Sequence, residues 1–319
     1  NRPGDLLSLL DLGLHLRLLG REEMMELMRV VSMPVADFLD EWFEHPVLKG
    51  ALALAGVRGL AQGPHSGGTT YLLLHGWAGS RPDSFETGIW VQGGIGNLSA
   101  SLAGAARQQG AEIRLGAAVR QIAVRDGCAV GVVLASGEEI EAAQVISNAD
   151  PRSTFLELLD PVYLEVEFLR QVRNIKHRGV VAKVNLALSE LPRFAGLPGD
   201  DQVWGGPFVV CPSIGYLDRA YTDAKYGRVS GNPVFEIQVP SAVDPSLAPP
   251  GQHVMSILVQ YAPYHRRDAA WDRAQAEALG DAVIRALGEY VPNLESSILH
   301  RQVHTPRSLE ATFGLTEGN

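Results

Sequence analysis

Cysteine is scarce in this chain. There are two among 319 residues, Cys128 and Cys211, in no CxxC pattern and at no spacing that suits zinc. So few thiols exclude a disulfide scaffold and fit a reducing compartment, so a cytoplasmic location is expected. Cys128 falls in an expected strand, where a buried, inert thiol is the predicted state. Positive charge is also in short supply, with 27 Lys and Arg against 36 Asp and Glu and a net charge of -9. A phosphate backbone needs clustered cations, so no nucleic-acid partner is expected. Long apolar runs are missing too. The best, residues 51–61, is broken by Arg58 and falls short of the roughly 20 residues a membrane-crossing helix requires. No signal peptide pattern and no internal repeat is present, and nothing specifies an oligomeric state. His300 and His304 share a helical spacing, but Arg301 stands where a zinc protease carries its glutamate, and Val303 with Thr305-Pro306 reads as extended. No metal site is expected.

What is present describes a globular α+β protein. Hydrophobic residues make up 46% and charged residues 20% of the chain, enough for a real core in one large domain or two. Three parts are expected: a helical portion over residues 1–90, a glycine turn with a β-meander over 91–160, and an α+β portion over 161–319. In the first, Leu9, Leu12, Leu16 and Leu19 fall at helical intervals before Glu22, Glu23 and Glu26. Helical hairpins that cover a cavity or dock on another domain are the expected result. Their amphipathic character is compatible with peripheral membrane contact, although a packed helix is the favoured reading. In the third part, residues 180–188, 234–240 and 253–261 alternate as strands and are expected to form an antiparallel sheet. Residues 218–226 and 271–290 read as helices, the second stopped by Val291-Pro292.

Residues 91–151 carry the most information. Gly93, Gly94 and Gly96 form a turn, and Leu98, Leu102, Ala105 and Ala106 give an apolar stripe ending at Gly110. After Glu112-Ile113-Arg114-Leu115, residues 118–125 and 128–135 flank Asp126-Gly127, a pair that supplies the positive φ angles of a tight hairpin. A third strand is expected to lead to Asn148-Ala149-Asp150-Pro151. From pattern alone, an ordinary meander with no ligand is as good a reading as a cofactor wall. Gly94-Ile95-Gly96-Asn97-Leu98-Ser99 is an imperfect GxGxxG with serine in the third glycine position, and the strand before it is short and glycine-interrupted, so it is rejected as a primary nucleotide site.

That order of turn, helix, hairpin and Asn-Ala-Asp-Pro resembles FAD-dependent oxidoreductases of the phytoene desaturase type, within the flavin amine oxidase group. Ile95 replaces the methionine of the group's Gly-Gly-Met-Gly. The resemblance implies that Gly93, Gly94, Gly96, Val119, Asn148, Ala149 and Asp150 border FAD in the parent enzyme, and that Tyr71, His75, Trp77 and Trp90 border a small-molecule substrate. It implies the substrate domain of a flavin oxidoreductase with an incomplete FAD-binding domain. Residues 1–60 hold no glycine-rich strand-turn-helix to grip a pyrophosphate, and the C-terminal flavin motif is not reached. The chain alone is therefore expected to be inactive and to bind FAD poorly. The implied parent reaction is hydride removal from an apolar or amphipathic molecule. No acid-base pair stands out, which suits chemistry carried by the flavin.

Two other classes fit parts of the sequence. Tyr71-Leu72-Leu73-Leu74-His75-Gly76 looks like the strand and oxyanion loop of an α/β-hydrolase, but no Gly-x-Ser-x-Gly elbow exists anywhere in the chain. A non-enzymatic binding or assembly module is the other alternative.

Overall fold

The computed structural model describes residues 13–14, 17–18, 20–78, 90–196, 204 and 206–319. Leu9, Leu12, Leu16 and Leu19 of the expected hairpins lie outside the described residues. Along the chain come α1 (Arg21–Ser32), α2 (Val35–Trp42), α3 (Pro46–Val57) and α4 (Thr69–Ala78). They are followed by α5 (Ile95–Gln108), β1 (Val119–Arg125), β2 (Cys128–Leu134), β3 (Glu139–Glu141) and α6 (Val166–Asn174). Then come β4 (Val181–Leu188), β5 (Phe208–Val210), α7 (Ile214–Lys225), β6 (Val234–Gln238) and β7 (His253–Gln260). The chain closes with α8 (Arg273–Gly288), β8 (Ile298–His304) and α9 (Pro306–Phe313). The described residues form two compact units, one from 1–89 with 180–303 and the other from 90–179 with 304–319.

The first unit is built on a five-stranded sheet in the order β5-β6-β7-β4-β8. β7 pairs antiparallel with both β4 and β6, with Val184 opposite Ile257 and Phe235 opposite Val259. Period-2 alternation turns Ala182, Val184, Leu186 and Leu188 to one face, where they join Phe235, Ile237, Met255 and Ile257 under Leu279, Val283 and Leu287 of α8. Val234 points the other way. With Leu217 and Tyr261 it meets Val35, Leu39, Leu54, Val57 and Leu73 of the N-terminal helices. The N-terminal helices and the other face of the sheet thus share a second apolar cluster. α3 comes so close to the loop after β5 that a Cβ on Gly50 would overlap the backbone of Cys211 and Ser213. Helix starts follow local chemistry: Ser213 accepts from Tyr216 N at α7, and Asp272 accepts from Gln275 N at α8.

Residues 69–78 are helical, not the strand that an oxyanion loop would follow, which removes the structural partner the hydrolase reading needs. Three apolar residues in a row with Thr on one side and His-Gly on the other fit either state, and burial of Thr69, Thr70 and Leu73 decides for the helix.

In the second unit, β1 and β2 form the hairpin expected at Asp126-Gly127, whose φ values are 51° and 77°. The third strand differs from expectation. It is the three-residue β3, whereas residues 144–150 form no strand and Ile146 is 93% exposed. Residues 112–115 likewise form no strand, and Leu115 is 90% exposed. Both are apolar, extended-type sequences with no sheet neighbour among the described residues. α5 begins at Ile95 and has no buried residue at all, with Leu102 63% exposed. α9 opens on a capping box between Thr305 and Ser308 and closes at Gly314 in the left-handed conformation.

Candidate cofactor site

The glycine turn is shaped by its own side chains. Gly93 and Gly94 have φ of 75° and 90°, and Gly94 N donates to Val91 O at 2.9 Å. Asn97 Nδ2 donates to Gln92 O at 2.8 Å and occupies the space a Cβ on Gly93 would need. Both glycines are therefore required by the turn itself. Gly96 is not. It lies inside α5, has no positive φ, and nothing lies within 4 Å of where its Cβ would stand. A glycine there costs the helix about 1 kcal/mol relative to alanine, with no return from the described packing. Beside it runs an open groove of about 600 Å³, lined by Val91, Gln92, Asn97, Leu98, Ala100 and Ser101.

The other expected cofactor residues belong to the same unit but do not line that groove. Val119 starts β1, opposite Leu134, and is 38% exposed. Asn148 and Ala149 are exposed on the loop before Pro151. Ser147 Oγ bonds Thr154 Oγ1 at 2.7 Å, and Ala149 N donates to Ser147 Oγ at 3.3 Å. Asp150 is half-buried. Burial alone would favour its neutral form, but hydrogen bonds from Thr316, the Ser153 hydroxyl and the Ser153 and Arg152 amides outweigh that and hold its pKa at about 2. His177 Nε2 stands 3.9 Å from Asp150 Oδ1, buried and without a hydrogen-bond partner.

The expected substrate residues divide between the units. Tyr71 and His75 lie one turn apart on α4, their rings stacked at 5.6 Å with 19° between planes. Trp77 packs on the helical core of the first unit. Trp90 belongs to the second unit and is 40% exposed.

Sequence reading passed over two residues on the face of the sheet turned away from the α8 core. Lys183 lies opposite Leu258, itself opposite Glu236, and Asn185 lies opposite Ser256, itself opposite Gln238. Arg58 pairs with Glu236, and Ser256 Oγ donates to Asn185 Oδ1 at 3.2 Å. No carboxylate among the described residues pairs with Lys183. The signal was available: in β4, lysine and asparagine interrupt the off-beat positions of a strand whose on-beat positions are all buried.

The cysteines differ as well. Cys128 is exposed, contrary to the buried thiol expected, because β2 begins at the hairpin's turn, directly after Asp126-Gly127. Burial pushes the Cys211 thiol up to about 12. A thiol reagent at neutral pH is expected to modify Cys128 within seconds to minutes and leave Cys211 unmodified until denaturant is added. Two equally fast thiols in the native chain would contradict this burial.

Among the described residues no helix is long and apolar enough to cross a membrane, and no group of three His, Cys, Asp or Glu could hold a metal ion. An antiparallel sheet with helices in one unit, and a glycine turn, helix and meander in the other, is an architecture of flavoprotein oxidoreductases. A solved oxidoreductase from Methanosarcina mazei matches 91% of this chain and 62% of its own at a TM-score of 0.58 and 19% identity. A solved putrescine oxidase variant matches 92% of this chain and 56% of its own at a TM-score of 0.54 and 15% identity. The chain belongs to the flavin containing amine oxidoreductase family, whose model matches residues 19–314.

Among its relatives is pyridine nucleotide-disulfide oxidoreductase domain-containing protein 2 of Rattus norvegicus, 36% identical over 91% of this chain and 51% of that protein. Another is the zeta-carotene-forming phytoene desaturase of Myxococcus xanthus, 29% identical over 73% of this chain and 42% of that protein. The chain spans about half the length of the curated relatives it matches. The family is flavin containing, and FAD is the cofactor it implies.

Proposed function

We propose that this chain supplies the substrate-binding part and one wall of the flavin site of a FAD-dependent oxidoreductase acting on an apolar or amphipathic small molecule. The observation that carries this reading is the unfinished surface of the second unit. α5 buries none of its residues, and Leu115 and Ile146 stand 90% and 93% exposed on segments that have no strand partner among the described residues. Apolar surface of that extent on one unit calls for a cover. A sheet that pairs with residues 112–115 and 144–150, and a nucleotide against Gly96, would provide one.

The residues present fit a flavin nucleotide. The start of α5 has no side-chain cap, and although Asn97 N donates to Gly94 O, the helix start remains favourable to negative charge, with room at Gly96 for close approach. Gly93, Gly94, Gly96, Val119, Asn148 and Ala149 would border it. When bound, the flavin accepts the hydride. Tyr71, His75 and Trp77 of the first unit would orient the substrate. Lys183 and Asn185, on the polar face of the sheet, are the side chains there best able to hold a polar substrate group or an ordered water.

In this reading the pyrophosphate grip is a glycine-rich strand-turn-helix that residues 1–319 do not contain. Titrating FAD into the purified chain is expected to give no stoichiometric yellow complex, and adding that unit from a relative is expected to restore one. Stoichiometric flavin bound by the 319 residues alone would refute the divided site. Failure to bind flavin after the unit has docked would refute the flavin wall.

A further inference from the structure

We infer that Asp150 is a positioning residue and not a ligand of the nucleotide: through Thr316 it clamps the turn at 316–318 onto the loop that carries Asn148 and Ala149. This rests on the flavin reading above and assigns Asp150 a different task within it.

The carboxylate is saturated from inside the unit. Oδ1 accepts from Arg152 N at 2.9 Å and Ser153 N at 3.1 Å. Oδ2 accepts from Ser153 Oγ at 2.7 Å and Thr316 Oγ1 at 2.7 Å. A carboxylate offers about four lone-pair positions, so none is left for a ribose hydroxyl. The bonds within residues 150–153 are what an N-cap before Pro151 requires, and Thr154 N completes it by donating to Asp150 O at 2.9 Å. Capping does not account for the fourth bond. Thr316 is 166 residues away in sequence, and its hydroxyl reaches the one oxygen that faces away from the capped amides.

The clamped turn is one that needs holding. Glu317 has φ 52°, a left-handed conformation that a non-glycine residue adopts at a cost, and Gly318 follows at φ 74°. Three further contacts restrain it. Glu317 N donates to Glu310 Oε1 at 2.9 Å, Gly179 N donates to Glu317 O at 3.2 Å, and Gly318 lies so close to Pro306 that a Cβ would overlap its backbone. Among the described residues, the Thr316–Asp150 bond is what ties this turn to the 147–154 loop through side chains. On that loop Asn148 and Ala149 are exposed while Asp150 is not, so the exposed pair is what a ligand can reach and Asp150 is what fixes its position. His177 Nε2 stands 3.9 Å from Oδ1 without a hydrogen-bond partner, beside a carboxylate already filled from within the unit.

The test separates clamp from ligand with three variants: Thr316→Val removes only the hydroxyl, Thr316→Ser keeps it, and Asp150→Asn keeps an N-cap and can donate to Thr316. Amide exchange at Glu317 and Gly318 is read in the 319-residue chain, and FAD affinity and melting temperature in the flavoprotein completed as above. Thr316→Val is expected to speed exchange at both amides about tenfold and to weaken FAD about tenfold with little change in melting temperature, as loss of one charge-assisted bond allows. Thr316→Ser is expected to match wild type in both readouts, and Asp150→Asn, which keeps a bond to Thr316 but loses the charge, to fall between Thr316→Ser and Thr316→Val. Unchanged exchange in Thr316→Val would overturn the clamp. Faster exchange with unchanged FAD affinity would reduce it to a structural bond and overturn the positioning role. FAD lost in Asp150→Asn but retained in Thr316→Val would restore Asp150 as a direct ligand. A completed wild-type protein that takes up no FAD is recognised before any variant is compared, and defeats the flavin reading and the positioning role together.

Discussion

Gly96→Val in the completed flavoprotein is expected to lower FAD affinity at least about tenfold while leaving the fold and the melting temperature of the apo chain nearly unchanged. The structure separates the two effects. A Cβ at this position meets nothing within 4 Å among the described residues, and the backbone there has no positive φ. Relative to glycine, most side chains raise helix propensity by a few tenths of a kcal/mol, so the apo protein has no reason to lose stability. A nucleotide seated on the first turn of α5 would meet the new branched side chain directly. Loss of one close contact of about 1.4 kcal/mol is a tenfold change in the dissociation constant. Gly93→Val is the contrasting control. It forces a left-handed residue into the Asn97 side chain and is expected to damage the turn itself. Equal FAD affinity in wild type and Gly96→Val, measured by flavin fluorescence titration, would show that nothing approaches the helix start.

Phe235→Ala is expected to destabilise the first unit by about 3–5 kcal/mol, as large aromatic truncations in rigid cores do. Phe235 is 0% exposed in the middle of β6, with Val210 and Val259 as its strand neighbours and the α8 layer over it. The helix and the paired strands on either side cannot collapse into the space, so both transfer and cavity terms apply. Against a typical domain stability of about 5–15 kcal/mol this is a large fraction, and at the low end the unit would be mostly unfolded. Urea denaturation followed by circular dichroism is the measurement. A midpoint within error of wild type would mean that this cluster is not the core of the unit.

Much of the first unit was legible because its strands are two-faced. β4, β6 and β7 were expected from alternation at 180–188, 234–240 and 253–261, and each lies within two residues of the observed bounds. α8 was likewise plain from its period and its stop at Val291-Pro292. What pattern could not supply was non-local. Val234 and Phe235 are adjacent, yet one packs on the N-terminal helices and the other on α8, so a chain read as consecutive parts joins residues before 90 to residues 180–303 in one unit. Residues 69–78 were ambiguous for a different reason. A short apolar run carries no period, and only burial against the rest of the fold makes it α4.

Of the candidate site, the turn at Gly93 and Gly94 and the hairpin at Asp126-Gly127 were legible because glycine and Asp-Gly announce positive φ. The third strand was misplaced because residues 144–150 have the composition of a strand but no described partner to pair with, whereas Glu139–Glu141, charged at both ends, pairs with β2. The clamp at Asp150 was beyond any local reading. Its decisive bond joins residues 150 and 316, and no short motif records a contact of that separation.

The most direct test of a flavin wall is photolabelling. An azido-FAD is bound to the completed flavoprotein, illuminated, and the labelled peptides are mapped by mass spectrometry. Label on peptides containing Gly93 to Gly96 and Val119, displaced by excess FAD, is the expected result. Displaceable label confined to the first unit or to the added nucleotide-binding segment, with none between residues 91 and 150, would contradict the account.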